Sequence, residues 1–204
     1  MIIDLFPTPI YIDEFDISSE ERKYLYDLPM YRNADNDAWV SVTDLQLSPG
    51  FDSIKDKIMH HAKVYAYDEM CISKEYDLVC HGAWLNKNSP GDSTPIHHHS
   101  NSLISGVYYV DVDPSEQGAI QFHHDNGGPF GKFFTVLSYD EVHRRNTHTG
   151  AIECRNGMLL LFPSCLKHSV AKNLSSSCRY SLAFDFMISG IFDGMVNRMR
   201  YCAS

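Results

Sequence analysis

The sequence predicts a mostly β, α+β fold: a jelly-roll barrel (a double-stranded β-helix) braced on its outside by N-terminal helices. Three observations carry this. From Leu78 onward the chain consists of short β-rich runs, at 78–86, 95–111, 119–123, 133–137, 151–154, 157–162 and 179–186, broken by turn residues such as Pro90-Gly91 and Asn156-Gly157. The last run alternates strictly, with Tyr180, Leu182, Phe184 and Phe186 on one face and Arg179, Ser181, Ala183 and Asp185 on the other. Before residue 75 the apolar spacing is helical instead. Seven or eight short strands of this kind close into a sandwich or barrel, and the helices are left to cover its outer face.

The elements follow in order. Residues 2–12 mix apolar runs with Pro7 and Pro9, which suits an edge strand or extended arm. Ser18-Ser19-Glu20-Glu21 has N-cap chemistry with carboxylates in the first turn, and Pro29 stops the short helix it opens. Ile54, Ile58, His61, Ala62 and Tyr65 share one face of a longer helix over about 51–71. The stretch 127–150 is the least regular and reads as loops. No repeat or linker interrupts the chain, so 1–204 is expected to form one domain, with helical support over about 15–72 and a jelly-roll core over about 76–188.

Composition narrows the function classes. A formal net charge of -9 argues against a general nucleic-acid binder, which needs clustered Lys and Arg to displace counterions. The six cysteines show neither CxxC spacing nor scaffold density, and read as reduced thiols. No signal peptide and no run of 18 uncharged apolar residues is present, so a cytoplasmic protein, free of membrane, is expected. A homodimer is compatible with all of this and required by none of it.

The chemistry-bearing residues are His97, His99 and His168. Side chains on an extended segment alternate, so a His-x-His puts two rings on one side. A third ring from a distant strand would complete one face of an octahedral metal site and leave the opposite face open to substrate, cosubstrate and dioxygen. Arg179 and Ser181 lie on the polar face of their strand, looking into the barrel. A buried guanidinium needs an anion and offers a planar fork suited to a carboxylate, which points to a dicarboxylate cosubstrate. An ion pair between Arg179 and Asp185 is the structural alternative. His60, His61, His123 and His124 read as packed or solvated residues outside the site.

An ordered set of motifs carries a family resemblance over nearly the whole chain. The set is Leu5-Phe6-Pro7-Thr8-Pro9-Ile10; Trp84-Leu85-Asn86; Gly91 leading to His97-x-His99-x-x-Ser102-x-x-Ser105-Gly106-Val107-Tyr108-Tyr109-Val110; Gly157-x-Leu159-Leu160-Leu161-Phe162-Pro163-Ser164-x-x-x-His168-x-Val170; and Arg179-x-Ser181. The chain resembles the iron(II)/2-oxoglutarate-dependent dioxygenases, within the prolyl-hydroxylase-like superfamily, and specifically a family of small oxygenases from marine bacteria and their phages. If phage-encoded, it would act in the host cytoplasm.

The resemblance implies Fe(II) held by His97 and His168, with His99 where most of the superfamily has an Asp. It implies 2-oxoglutarate bound at its distal carboxylate by Arg179 with help from Ser181, and contacts from Asn86, Tyr108 or Tyr109. The implied reaction uses O2, converts 2-oxoglutarate to succinate and carbon dioxide, and hydroxylates a small-molecule or peptidyl substrate. A neutral third ligand would leave the site one unit more positive, favouring the 2-oxoglutarate dianion. Asp92, Asp111 or a water, with His99 behind it, are the other candidates for that position. Two further readings stay open: a three-His cupin-type dioxygenase that needs no 2-oxoglutarate, and a jelly-roll module that binds metal without catalysis.

Overall fold

The computed structural model describes residues 1–5, 7–34, 38–42, 44–124, 138–193 and 198–202. The chain runs β1 (Tyr11–Glu14), α1 (Ser19–Tyr26), β2 (Met30–Asn33), β3 (Ala38–Ser41), α2 (Asp52–Lys63), a π-helical continuation (Val64–Glu69), β4 (Asp77–Asn88), β5 (Thr94–His97), β6 (Ile104–Asp111), β7 (Ile120–His123), β8 (Thr149–Ile152), β9 (Met158–Pro163), β10 (Lys167–Val170), β11 (Arg179–Asp193) and β12 (Arg198–Tyr201). Two antiparallel sheets result. The larger follows the order β1-β9-β6-β11-β4-β3-β2, with β12 paired to β11; the smaller follows β5-β10-β7-β8. This is the mostly β, helix-braced architecture expected of the sequence.

The local reasons are those legible in the chain. Ser18 caps α1 in a full capping box: its hydroxyl accepts from Glu21 N at 3.1 Å while the Glu21 carboxylate accepts from Ser18 N at 2.6 Å. Helix α2 buries Ile54, Ile58 and Ala62 against the larger sheet, where Leu182, Phe184 and Phe186 of β11 join Leu85 and Tyr108 in the same core. A second core, including Tyr109, Ile120, Phe122, Leu160 and Phe162, lies between the two sheets. The two faces of β11 therefore serve different layers, because its alternation sends apolar side chains to the helices and polar ones to the barrel interior.

Several strand expectations need correction. The run 95–111 is two strands in different sheets, β5 and β6, because residues 98–103 leave the ladder and are tied to the β9–β10 turn through His99 N–Ser164 O (3.0 Å) and Ser164 N–Leu103 O (3.1 Å). Strands β2, β3, β10 and β12 had no counterpart in the sequence reading. Each is four residues long and held by its neighbour's ladder more than by its own pattern. The expected strand at 133–137, Phe6 of the N-terminal motif and much of the loop at 127–150 fall outside the described residues. Residues 138–148 carry neither helix nor strand, while 149 and 150 already belong to β8.

Gly106 explains how β6 passes beneath the aromatic core. A Cβ there would stand 2.1 Å from Phe184 Cε2, 2.7 Å from Leu161 Cδ2 and 2.9 Å from Leu160 O. Gly106→Ala is therefore expected to destabilise the fold by about 1–3 kcal/mol through overpacking, measurable as a lower midpoint in urea. An unchanged midpoint would show that β6 can move away from Phe184.

Candidate metal and cosubstrate site

The strand register builds the site before any side-chain chemistry enters. In the antiparallel pair β5–β10, His97 and His168 are direct partners, and cross-strand partners on one face lie in contact. Their ring centroids are 4.2 Å apart. His99 follows on the tied-down segment after β5, with its ring 5.3 Å from that of His97 and 5.4 Å from that of His168. One ligand atom from each of the three lies within 4.8 Å of the others, the one such His/Cys/Asp/Glu group among the described residues. Alternation along a strand thus reached the right pairing for a partly different reason, since β5 ends at His97.

Each ring is oriented by an acceptor behind it. His97 Nδ1 lies 2.9 Å from Pro95 O, His168 Nδ1 lies 2.9 Å from Leu166 O, and His99 Nδ1 lies 2.8 Å from both carboxylate oxygens of Asp185. A carbonyl or carboxylate oxygen only accepts, so each ring holds a proton on Nδ1 and leaves Nε2 as the nitrogen a metal would take. Burial pushes the His168 pKa down to about 4 and lowers that of His97, so both rings are neutral at pH 7, the form that binds a metal. The donor set, three imidazole nitrogens with oriented outer partners, fits a first-row transition metal such as iron(II).

Asp185 corrects two sequence expectations. It is not the partner of Arg179. It is 5% exposed, accepts from His99, and also accepts from the Ser105 hydroxyl at 2.6 Å, Ser105 being its cross-strand neighbour on β6. A carboxylate one hydrogen bond behind the His99 ring brings negative charge close to where a directly ligating Asp would bring it, so the site is not simply one unit more positive. The alternative third ligands are engaged elsewhere: Asp92 holds Arg32 with bonds of 2.7 and 2.9 Å, and Asp111 accepts from Tyr26.

The triad lines a cavity of about 360 Å³ that also holds Trp84, Asn86, Tyr109, Arg179 and Ser181. Arg179 is 2% exposed, and among the described residues its partners include no carboxylate: Nη1 donates to Gln117 O (2.9 Å) and Gly118 O (3.2 Å), and Nη2 to Asn88 Oδ1 (2.9 Å). Its Nε has no partner. Burial lowers its pKa, yet guanidinium stays charged, so a buried cation lines the cavity with no described carboxylate against it. A buried charge of this kind fits an anionic ligand, and a 2-oxo dicarboxylate reaching from the triad to Arg179 satisfies both.

The sequence left Asn86, Tyr108 and Tyr109 undecided, and the structure separates them. Asn86 and Tyr109 flank Ser181 in register and line the cavity with it. Tyr108 lies on the opposite face of β6, where its hydroxyl donates to Phe15 O at 2.9 Å and its ring stacks on Phe15, so it is removed from the cosubstrate set. Three contributors went unassigned in the sequence: Asn88, Ser105 and Asp185. Parity was the available signal, because Asn88 shares the inward phase of Trp84 and Asn86, and Asp185 that of Arg179 and Ser181. His61 packs against Tyr11 and Phe15, and His123 bonds Ser169, both apart from the triad.

Comparison with known proteins yields a family and a fold. Residues 82–185, about half of the chain, match the family described as "Putative 2OG-Fe(II) oxygenase". No curated protein matches the sequence. Among solved structures, HygX from Streptomyces hygroscopicus with nickel and 2-oxoglutarate bound is 14% identical, with a TM-score of 0.61 over 88% of this chain and 82% of that one. The non-heme alpha-ketoglutarate-dependent epimerase SnoN from nogalamycin biosynthesis is 15% identical, with a TM-score of 0.60 over 88% and 78%. A Pseudomonas putida prolyl-4-hydroxylase is 14% identical, with a TM-score of 0.56 over 88% and 92%. At these identities the likeness is one of fold.

Proposed function

Since the chain belongs to the 2OG-Fe(II) oxygenase family, an oxidoreductase family that uses iron(II), 2-oxoglutarate and dioxygen, we propose that it is a hydroxylase of a small molecule or a peptidyl residue. The observation that carries this reading is one cavity lined by both a cluster of three imidazoles and a buried guanidinium with no carboxylate partner among the described residues. His97, His99 and His168 would hold the iron, which supplies the activation of dioxygen that couples 2-oxoglutarate decarboxylation to substrate oxidation.

The protein's own part is positional. Pro95 O, Leu166 O and Asp185 each accept from a ring Nδ1, which fixes the ring orientations and leaves Nε2 of each for the metal. Arg179, Ser181 and Tyr109 orient the cosubstrate by its distal carboxylate, Ile120 and Val170 keep that end of the cavity dry, and Phe162 packs against His168 at the other. Trp84 stacks on His99 at 6.0 Å and walls one side. Among the described lining residues Arg179 is the one permanent charge, and the cosubstrate uses it; the reacting part of the substrate is therefore uncharged. No described helix is long and apolar enough to cross a membrane.

Iron-loaded protein under air should convert 2-oxoglutarate to succinate, and a screen of metabolites and peptides should find a product gaining one oxygen atom for each succinate. Turnover of dioxygen that ignores both 2-oxoglutarate and Arg179→Ala would replace this reading with the cupin-type one.

A further inference from the structure

A second cavity, of about 330 Å³, adjoins the first, and Trp84 lines both. It opens where β3 leaves β4. The two strands pair at Trp39–Lys87 and Val40–Asn86, and the Ser41 hydroxyl accepts from Leu85 N at 3.1 Å, but among the described residues no strand continues along that side of Gly82–Trp84. Side chains take the place of a ladder there: Asp44 Oδ1 accepts from Ala83 N at 3.4 Å, and Gln46 Nε2 donates to His81 O at 2.7 Å. The Asp44 carboxylate therefore lies against the wall that Ala83 helps to form. Arg179 pairs with Asn88 at one end of the β4–β11 ladder, whereas Asp185, which holds His99, pairs with Gly82 further along. Lined by Gly82 and Trp84, the second cavity lies at the His99 end, away from the cosubstrate anchor. Trp84 forms the partition. Its ring stacks on that of His99 at 6.0 Å and leans over Gly82, where a Cβ would stand 3.7 Å from Cζ3. A substrate reaching past the indole to the metal would leave its far end in the second cavity.

The lining indicates what that far end carries. Asp44 is exposed, and its partners are neutral: the Gln46 side-chain amide at 3.2 Å and Ala83 N. The same recess is lined by the rings of Tyr31, 48% exposed, and Trp84, and by no described Lys, Arg or His. A carboxylate and two aromatic rings together suit a cation, which pairs with the first and is attracted by the quadrupoles of the others, while an anion would be repelled. Exposed carboxylates are common in a chain of net charge -9; this one is set apart by its aromatic company at the wall of the metal cavity. Resting on the function proposed above, we propose that the second cavity is a substrate subsite for an alkylammonium group, with Asp44 as the anionic contact and Tyr31 and Trp84 as aromatic walls. The substrate is then cationic at the end remote from the carbon that is oxidised.

The test uses zinc-loaded full-length protein saturated with 2-oxoglutarate, in which binding is read without turnover. The probes are Nα-acetyl-lysine methylamide, its 2-aminoheptanoate analogue in which a methyl replaces the ammonium, and n-butylammonium, which carries the cation without peptide groups. The Trp84 indole N–H resonance, identified by its absence in Trp84→Phe, should shift saturably with both cations and stay in place with the methyl analogue. Asp44→Asn, which keeps an acceptor for Ala83 N, should weaken both cations about two- to fivefold, the range of an ion pair at an exposed site. Added salt should weaken binding to the wild type and leave the variant unaffected, because only the wild type offers a charge to screen. Tighter binding of the blocked lysine than of butylammonium assigns the cation to a peptidyl substrate, and equal or weaker binding assigns it to a small-molecule amine; the subsite stands in both cases. An equal shift with the methyl analogue, no shift with either cation, or Asp44→Asn binding like the wild type at low salt overturns the subsite, while calorimetric binding of 2-oxoglutarate leaves the enzyme reading intact. If the wild type binds no 2-oxoglutarate, the enzyme reading itself falls, and this one with it.

Discussion

His168→Ala should abolish succinate formation from 2-oxoglutarate and reduce iron retention by more than about 100-fold, since changes to outer-shell partners alone already cost 10–100-fold. The ring is 6% exposed, paired in register with His97, and fixed by Leu166 O so that Nε2 faces the other two imidazoles. Removing it leaves two nitrogens, too few to define one face of an octahedron. Burial holds its pKa at about 4, below that of a free imidazole. The neutral ligand form is therefore present throughout the neutral range, and proton competition for this ligand should appear only as the pH falls toward that value. Metal content after dialysis and succinate yield under air are the measurements. His168→Asn, closer in size, guards against a folding artefact, with far-ultraviolet dichroism confirming the sheet. Full succinate yield from a folded variant would remove His168 from the site.

Asp185→Asn should produce two effects of opposite sign. The amide keeps the side chain's size and can still accept from His99, but the charge is gone. Metal affinity is expected to fall about 10–100-fold, the usual cost of losing a carboxylate behind a ligating imidazole. In protein saturated with metal, 2-oxoglutarate should bind more tightly, because a negative charge close to the incoming dianion has been removed and the interior screens it poorly. Asp185→Ala goes further: it leaves His99 Nδ1 without its buried carboxylate and the Ser105 hydroxyl with Ser164 Oγ as its remaining acceptor, and the fold itself should weaken by about 1–3 kcal/mol. Competition titration with a chelator gives the first quantity and calorimetry the second. Unchanged metal affinity in Asp185→Asn would mean that the carboxylate only props the ring.

Much of this was legible because period-two alternation is a local property. Arg179, Ser181 and Asp185 share a face whatever the rest of the fold does, and so do Trp84, Asn86 and Asn88. The capping box at Ser18 and the apolar stripe of α2 are equally local, and both helices were readable from the chain. Tyr108 and Tyr109 show where that legibility stops. Alternation says that they face opposite ways, but not which of them faces the barrel. Only the pairing of Tyr109 with Ser181 decides it. The short strands β2, β3, β10 and β12 were illegible for a related reason: four residues carry too little pattern, and their strand character comes from the neighbours they pair with.

By itself, then, the sequence determined the architecture, the three histidines and the inward arginine, because each depends on spacing along one segment and on the chemistry of a side chain. The tertiary structure alone decided who stands behind them. That Asp185 serves His99 and not Arg179, that Asp92 is committed to Arg32, and that Arg179 shares an end of the cavity with Asn88 are facts of register between distant strands. A register shift of one residue reverses every facing, so those partnerships exist only once the sheets have closed.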